Sequence, residues 1–320
     1  MGTSLKVGRR TLRIAFALAA LLCLPAVGAA QTGNLVTIRV ASSADDAVTP
    51  ILYAQREGLF RRAGLDVVLE KANSGSAVAA AVISGAADIG KSSLLPLISA
   101  HAHGIGFILV GGAVLHLASS PDVGLIAAAN GAVRSIRDLD GQVVSVPGLN
   151  DVLWIATRAW IDSKGGDSST VRFVELPGSA VAAALEQGRI VAGALTEPYM
   201  TSAATSGKSR ILGDVLDGVA SRLLESAWFA NADFSFKNGD AIARFGRILR
   251  EASLYCNEHQ SETVDLVAAF TGIEPATFKQ MHRPIFATAL EAKDIQPLID
   301  VAAKYKVIPA AFAARDLHLR

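Results

Sequence analysis

The sequence predicts an α/β fold wound into two similar lobes, and three observations predict it. Short β-branched runs alternate with small-residue helical stretches along most of the chain. Several of these runs end in glycine- and hydroxyl-bearing loops that open the next helix. The segment from Ser76 to Gly90 is echoed by Ser179 to Ala194, each a small-residue helix, a glycine stop and a short buried strand.

The first residues have a different character. Lys6, Arg9, Arg10 and Arg13 precede an apolar run from Ile14 to Leu24, and Pro25 to Ala30 are small. That is the pattern of a secretory signal, with cleavage expected near Ala30 and the mature protein in the periplasm. The apolar run is shorter than the ~20 residues that span a bilayer. Of the chain's 30 basic and 29 acidic residues, cleavage removes four basic and no acidic ones, leaving 26 against 29. A net charge of −3 argues against a nucleic-acid binder, which carries a basic excess. Cys256 is then the one remaining cysteine, so no intrachain disulfide forms and the fold rests on its core. Its helical surroundings suit a buried small hydrophobe. A monomer is expected.

In the first lobe, Asn34 to Ala41 reads as a strand, followed by the loop Ser42-Ser43-Ala44-Asp45-Asp46. A helix spans Pro50 to Glu57 and a strand spans Leu65 to Leu69. Asn73 to Ser76 caps a helix from Ala77 to Ser84, and Gly85 ends it. Ala87 to Gly90 is a short buried strand, after which Lys91-Ser92-Ser93 opens the next helix with Ser93 as N-cap. Pro96 falls in that helix's first turn, where a missing N–H costs nothing. In open α/β sheets ligands sit beyond the carboxyl ends of strands, and helix N-termini there favour anions. Lys91 near the cleft mouth either neutralises a carboxylate, sulfonate or phosphate or is a solvated loop lysine. His101 and His103 point apart on a helix and read as a polar helix end, so no metal is expected. Gly106 to Val110 is a strand that Gly111-Gly112 ends.

Ser119 to Asp122 reads as a crossing into the second lobe. Strands follow at Val123 to Ala129 and Val143 to Val146. The loop Pro147 to Asp151 feeds a helix from Val152 to Ser163, capped by Asn150 or Asp151. Val171 to Leu176 is a strand, and Gly178-Ser179 caps a helix that Gly188 ends. The strand from Val191 ends at Thr196 and Glu197. Glu197 either contacts a solute, pairs with Lys91 in the empty cleft, or caps the helix after Pro198. Trp154 and Trp160 read as core. Residues 213–218 form a second crossing, and Trp228-Phe229-Ala230 returns as a strand of the first lobe, with Trp228 either lining the cleft or in the core. Helices at 240–258, 262–270, 276–281 and 296–304 follow, the last three expected on the outside of the first lobe.

No nucleophile elbow, phosphate loop, dinucleotide fingerprint or zinc motif occurs in the sequence. Capture of a solute fits better than turnover, so no enzyme and no cofactor are expected.

Particular phrases carry a resemblance. Ala54-Gln55-Arg56-Glu57-Gly58-Leu59-Phe60 with Ala63-Gly64-Leu65-Asp66-Val67, then Gly85 to Gly90, resemble the SsuA/THI5-like (NMT1; nitrate, taurine and sulfonate) class of periplasmic solute-binding proteins. Ser135 to Val144 and Asp233-Phe234 with Phe245 resemble further segments of that class. The resemblance runs from about Val36 to about Phe270. It implies a two-lobed periplasmic-binding-protein fold of type II, each lobe a mostly parallel sheet flanked by helices. Residues 31–119 would form the first part of lobe 1, 120–214 lobe 2, and 215–320 the return part of lobe 1 with the C-terminal helices. It also implies an ABC importer in which a permease with its cytoplasmic ATPase receives the solute after hinge closure. The solute contacts it implies are Ser42, Ser43 and Asp46; Ser74, Gly75 and Ser76; Lys91, Ser92 and Ser93; Gly148, Leu149, Asn150 and Asp151; Thr196 and Glu197; and Trp228. Two features depart from the class: Lys91 stands where it has small or aromatic residues, and Leu149-Asn150-Asp151 where it has small hydroxyl residues. Helix N-termini and Lys91 together favour a small organic anion, such as a sulfonate or carboxylate. The alternatives are a THI5-like pyrimidine synthase, a thiamine-pyrimidine-binding protein, and a periplasmic sensory subunit.

Overall fold

Two mixed sheets, each flanked by helices, organise the chain. The computed structural model describes residues 1–3, 35–72 and 75–317, without the side chain of Ser76. Beyond its first three residues, the segment expected to direct export lies outside the described residues.

β1 (Val36–Ser43) leads through a 3₁₀ turn, Asp46–Val48, into α1 (Thr49–Arg56) and α2 (Leu59–Arg62). β2 (Leu65–Ala72), α3 (Gly75–Ile83), β3 (Ile89–Ser93), α4 (Leu94–Ala102) and β4 (Phe107–Leu117) complete the first pass. The chain then crosses to β5 (Val123–Ala128), β6 (Val143–Val146), α5 (Val152–Ser163) and β7 (Arg172–Glu175). α6 (Gly178–Glu186), β8 (Ala192–Thr196), α7 (Tyr199–Thr205) and β9 (Ser209–Gly213) follow. It returns as β10 (Arg222–Asn231), α8 (Ala232–Lys237) and α9 (Gly239–Glu258). α10 (Val264–Thr271), α11 (Pro275–Phe278), β11 (Ile285–Phe286) and α12 (Ala292–Lys304) end it.

The first sheet has the order β11-β4-β10-β3-β1-β2 and the second β7-β6-β8-β5-β9. β1 is parallel to β2 and β3, while β10 is antiparallel to both β3 and β4. β4 therefore runs with β1, β2 and β3. In the second sheet β6 is parallel to β7 and β8, and β5 opposes both β8 and β9. Each sheet is mostly parallel in direction, with a reversed strand arriving from the other sheet, fourth when counted from β2 in the first and from β7 in the second; β11, at the far edge of the first sheet, also runs reversed. The long parallel connections run through helices, as such pairings require.

The echo between the two halves is closer than the sequence pattern alone suggests. Gly75 to Ala81 and Gly178 to Ala184 are the same heptapeptide, GSAVAAA, and both begin helices. The offset, 178 less 75, is 103 residues, and it also carries Gly90 onto Gly193. A Cβ on Gly90 would lie 2.5 Å from Val78 Cγ1, and one on Gly193 would lie 2.6 Å from Val181 Cγ1. Val78 and Val181 are themselves related by the offset. In each half the helix beds onto its strand at a bare backbone position, a contact a side chain would prevent.

Most expected elements form, and the differences have tertiary causes. Lys91, Ser92 and Ser93 were expected to open a helix but belong to β3, because they pair with Trp228, Ala227 and Ser226 of β10. β4 does not stop at Gly111-Gly112, since both pair with β10 and the strand continues to Leu117. β9 and β11, absent from the sequence reading, are edge strands of the two sheets. α12 is longer than expected and packs against β10 and α4 of the first half and also against α5 of the second. Just beyond it, the Tyr305 hydroxyl donates to Asp162 Oδ2 at 2.5 Å, and the Arg158 guanidinium lies 4.8 Å from the Tyr305 ring. The C-terminal segment thus ties the two halves instead of lying only outside the first. One apolar cluster runs through both halves, from Leu95, Ile98 and Leu298 to Ile155, Trp160 and Leu216. Cys256 is buried, and burial pushes its thiol up to about 12, so it packs as an inert hydrophobe. The His103 ring contacts Ser99 O at 2.7 Å and His101 packs on Phe312 at 4.7 Å, so both rings at this helix end have local partners.

Candidate functional site

The carboxyl ends of the parallel strands of both sheets face a common hollow of about 500 Å³. Ser43 arrives from β1, Ala72 from β2 and Lys91 to Ser93 from β3. Gly148 to Asp151 follow β6, Glu175 ends β7, and Thr196 with Glu197 closes β8. The starts of α3 and α6, Gly75 and Gly178-Ser179, open onto the same space. This is where an open α/β sheet places its ligands, and the volume suits a small molecule. A second hollow of about 600 Å³ lies between β4, α9 and Ala287 to Leu290, away from these strand ends.

Lys91 is buried, and its ammonium lies 2.6 and 2.5 Å from the two carboxylate oxygens of Asp45. It pairs with Asp45, not with Glu197 as the sequence reading allowed. Asp45 also caps the 3₁₀ turn, accepting from Ala47 N–H at 3.1 Å. Asp46 touches the hollow, but both its oxygens are engaged. Arg283, itself buried, donates to both of them, through Nη2 to Oδ1 at 2.7 Å and through Nε to Oδ2, and Thr49 donates to Oδ1 at 2.7 Å. The carboxylate anchors β1 to the C-terminal part of the chain and has no oxygen left over for a solute.

Ser93 and Asp151 are brought together across the halves. Ser93 Oγ donates to Asp151 Oδ2 at 3.0 Å, while Asp151 Oδ1 accepts from Leu153 N–H at 3.3 Å. Burial pushes the Asp151 carboxyl up, and the Ser93 hydrogen bond opposes that. Glu197 accepts from Thr201 Oγ1 at 2.7 Å and from Thr201 N–H at 3.0 Å, so it caps α7 while lining the hollow. Burial pushes its carboxyl up as well. Leu149 N–H donates to Glu175 Oε1 at 2.6 Å, and Asn150 turns the loop with a φ of 61°.

Two expected contacts are not in the walls. Ser42 is fully buried and donates to Ser43 O at 3.0 Å. Trp228 is 1% exposed and packs with Phe245, Ile51 and Ala113 in the first sheet's own core. Ser74 and the Ser76 side chain lie outside the described residues.

The sequence reading missed Asp122, Glu175 and Glu225, and it passed over Asp45 in favour of its neighbour. Asp122 stands at the first crossing and Glu225 within β10, both lining the hollow and both more than nine-tenths buried. Asp122 Oδ1, Glu225 Oε2 and Ser92 Oγ have no hydrogen-bond partner. Burial pushes Asp122 up to about 7, helped by the nearby charges of Asp214, Glu197 and Asp46. Burial also holds Glu225 well above the usual carboxylate range, with the charges of Asp122 and Asp151 adding to it. An acid that follows two leucines within an apolar strand, Arg222-Leu223-Leu224-Glu225, is the one signal that would have drawn attention to Glu225. Beside the crossings, His116 is buried with Nδ1 3.8 Å from Asp214 Oδ2 and Nε2 4.0 Å from Asp217 Oδ1. Burial lowers the His116 pKa and raises that of Asp214 to about 6.

The two sheets, their crossed reversed strands and the hollow at the strand ends define a periplasmic-binding-protein fold of type II. Solved structures share it. An alkanesulfonate-binding protein, SsuA, from Xanthomonas axonopodis pv. citri, bound to MOPS, superposes with a TM-score of 0.75 at 18% identity, over 89% of this chain and 98% of that one. The periplasmic nitrate-binding protein NrtA from Synechocystis PCC 6803 superposes with a TM-score of 0.70 at 14% identity, over 89% and 85%. In sequence, a "Putative aliphatic sulfonates-binding protein" of Bacillus subtilis is 23% identical over 278 residues, 85% of this chain and 78% of the relative. The family described as NMT1/THI5 like matches residues 46–263, more than half of the chain, which therefore belongs to that family.

Proposed function

We propose that this protein is the solute-capturing component of an ABC importer, working outside the cytoplasm. A small organic solute enters the hollow between two lobes, one built on residues 31–119 and 215–320 and the other on 120–214. It bridges them, and its differential contacts favour the closed arrangement that the permease and its ATPase recognise. The observation that carries this reading is the hollow itself, walled by strand-end loops of both sheets. The walls bind and do not react. Ser43, Gly75, Ser92, Ser93, Gly148, Leu149, Asn150 and Thr196 offer amides, hydroxyls and a short apolar surface to the solute. A solute screen by thermal shift, followed by small-angle scattering with the best solute, tests this. A solute that raises the melting temperature and shrinks the radius of gyration supports hinge closure. Stabilisation with an unchanged radius removes the hinge from the proposal.

A second reading of the solute is an aliphatic sulfonate. It is favoured by the relatives' names and by the two helix N-termini, Gly75 and Gly178, at the hollow. Thermal stabilisation by short alkanesulfonates, lost in Lys91→Gln, is its test.

A further inference from the structure

The charges around the hollow do not match an anion. Lys91 is the one basic side chain among the described wall residues, and Asp45 takes it with both oxygens. Asp46 is matched by Arg283. Five wall carboxylates remain, those of Asp122, Asp151, Glu175, Glu197 and Glu225, and none forms an ion pair with a described residue. Asp151, Glu175 and Glu197 have neutral donors in Ser93, Leu149 and Thr201. Asp122 Oδ1 and Glu225 Oε2 have no donor at all.

These two acids occupy matching places. The offset of 103 residues carries Ser93 onto Thr196. Ser93 pairs with Ser226 of β10, and Thr196 pairs with Val123 of β5. The residues just before those partners are Glu225 and Asp122. Each half therefore places one unpaired buried carboxylate at the same register position relative to its reversed strand, Glu225 within β10 and Asp122 one residue before β5, and both reach one hollow. An unpaired buried carboxylate is costly, and two that feel each other's charge are more so. A guest that donates N–H groups and carries positive charge relieves both, through charge-assisted hydrogen bonds in a desolvated site.

Resting on the solute-capture reading, we infer that the hollow takes a small organic cation, a protonated amine or an amidinium, seated against Asp122 and Glu225. An amidinium or guanidinium presents N–H edges on two sides, which suits acids contributed by both halves. Ser92 Oγ, unpartnered and in the same wall, supplies a neutral acceptor. Leu149, Leu153, Leu195 and Tyr199 give the hydrocarbon part of the guest an apolar wall.

The test is a charge-matched set of four-carbon probes, applied to the purified protein by thermal shift and calorimetry. The probes are butylammonium, butylguanidinium, butanesulfonate and butanoate. The cations raise the melting temperature and the anions do not. Asp122→Asn and Glu225→Gln each weaken cation binding by about tenfold or more, as loss of a charged hydrogen bond does. Both changes are isosteric and remove a buried charge, so either variant alone suffices if the other fails to fold. Stabilisation by butanesulfonate or butanoate, lost in Lys91→Gln, overturns the cation and leaves solute capture standing. Protein that responds to neither class, and releases no small molecule on denaturation, retires solute capture and the cation together.

Discussion

Ser93 and Asp151 cap two helices of different halves and are hydrogen-bonded to each other at 3.0 Å. Ser93 makes no side-chain bond to its own helix, α4, because its hydroxyl is given to the carboxylate that caps α5. One carboxylate thus sits between two helix N-termini, where negative charge is favoured. Ser93→Ala should weaken the best solute by roughly 1 kcal/mol, the net worth of one hydrogen bond, and expand the solute-bound protein in small-angle scattering. Asp151→Ala removes the α5 cap as well and should also lower stability by about 1 kcal/mol in urea. Equal effects of the two variants on stability would mean that the cap contributes nothing beyond the bridge.

Asp46 and Arg283 form a buried pair, 2% and 4% exposed. Removing one partner strands a charge in the core. Arg283→Met should cost on the order of 3–5 kcal/mol by urea denaturation. Adding Asp46→Leu to it should restore much of that loss, since a buried pair replaced as a whole is often near neutral. Additive losses in the double variant would contradict the pairing.

Stability should depend on pH in a stated direction. Asp122 is pushed up to about 7 and Asp214 to about 6, each from an ordinary value of 3.8. An acid with a raised folded value holds its proton more tightly folded than unfolded. Its stabilising effect is therefore complete at low pH and is lost as pH rises from about 4 towards 7. The melting temperature of the protein without solute should be several degrees higher near pH 5 than near pH 8 from these groups. Asp122→Asn should flatten the profile above pH 6. A wild-type profile that rises over the same interval and parallels that of the variant would refute this assignment.

The duplicated helix bed makes its own prediction. Gly90→Ala and Gly193→Ala each force a methyl group against a valine of the overlying helix. Each should destabilise by about 1–3 kcal/mol, as overpacking does. Val78→Ala should rescue Gly90→Ala in part but not Gly193→Ala, and Val181→Ala the reverse; the remaining loss is set by Val82 Cγ2 at 2.7 Å and Ser145 Oγ at 2.5 Å, which also meet the added methyl groups. Cross-rescue would show that the two beds are not independent.

Local signals made much of this fold legible. Val143 to Val146 and Val152 to Ser163 form with the bounds their sequence implies, because Asp151 marks the helix start and the β-branched run is short and self-contained. What stayed hidden depends on distant partners. Lys91 reads as a loop residue until β10 pairs with it. Its own partner, Asp45, looks no different from Asp46 in sequence, yet one faces the lysine and the other Arg283. The expectation of an anion rested on helix N-termini and on Lys91, whereas Asp122, just before β5, and Glu225, within β10, join the same wall only through strand placements that the tertiary fold reveals.

The two copies of GSAVAAA stand over equivalent strands, so the cradle is built of near-twins facing each other. Where they have drifted, one side gained what the other lacks: Lys91 on one strand answers to Ala194 on its counterpart. Ala194 is 1% exposed and Gly148 stands at the counterpart of Asp45, so the Lys91–Asp45 ion pair marks one half only, and a guest with distinct head and tail meets two different walls.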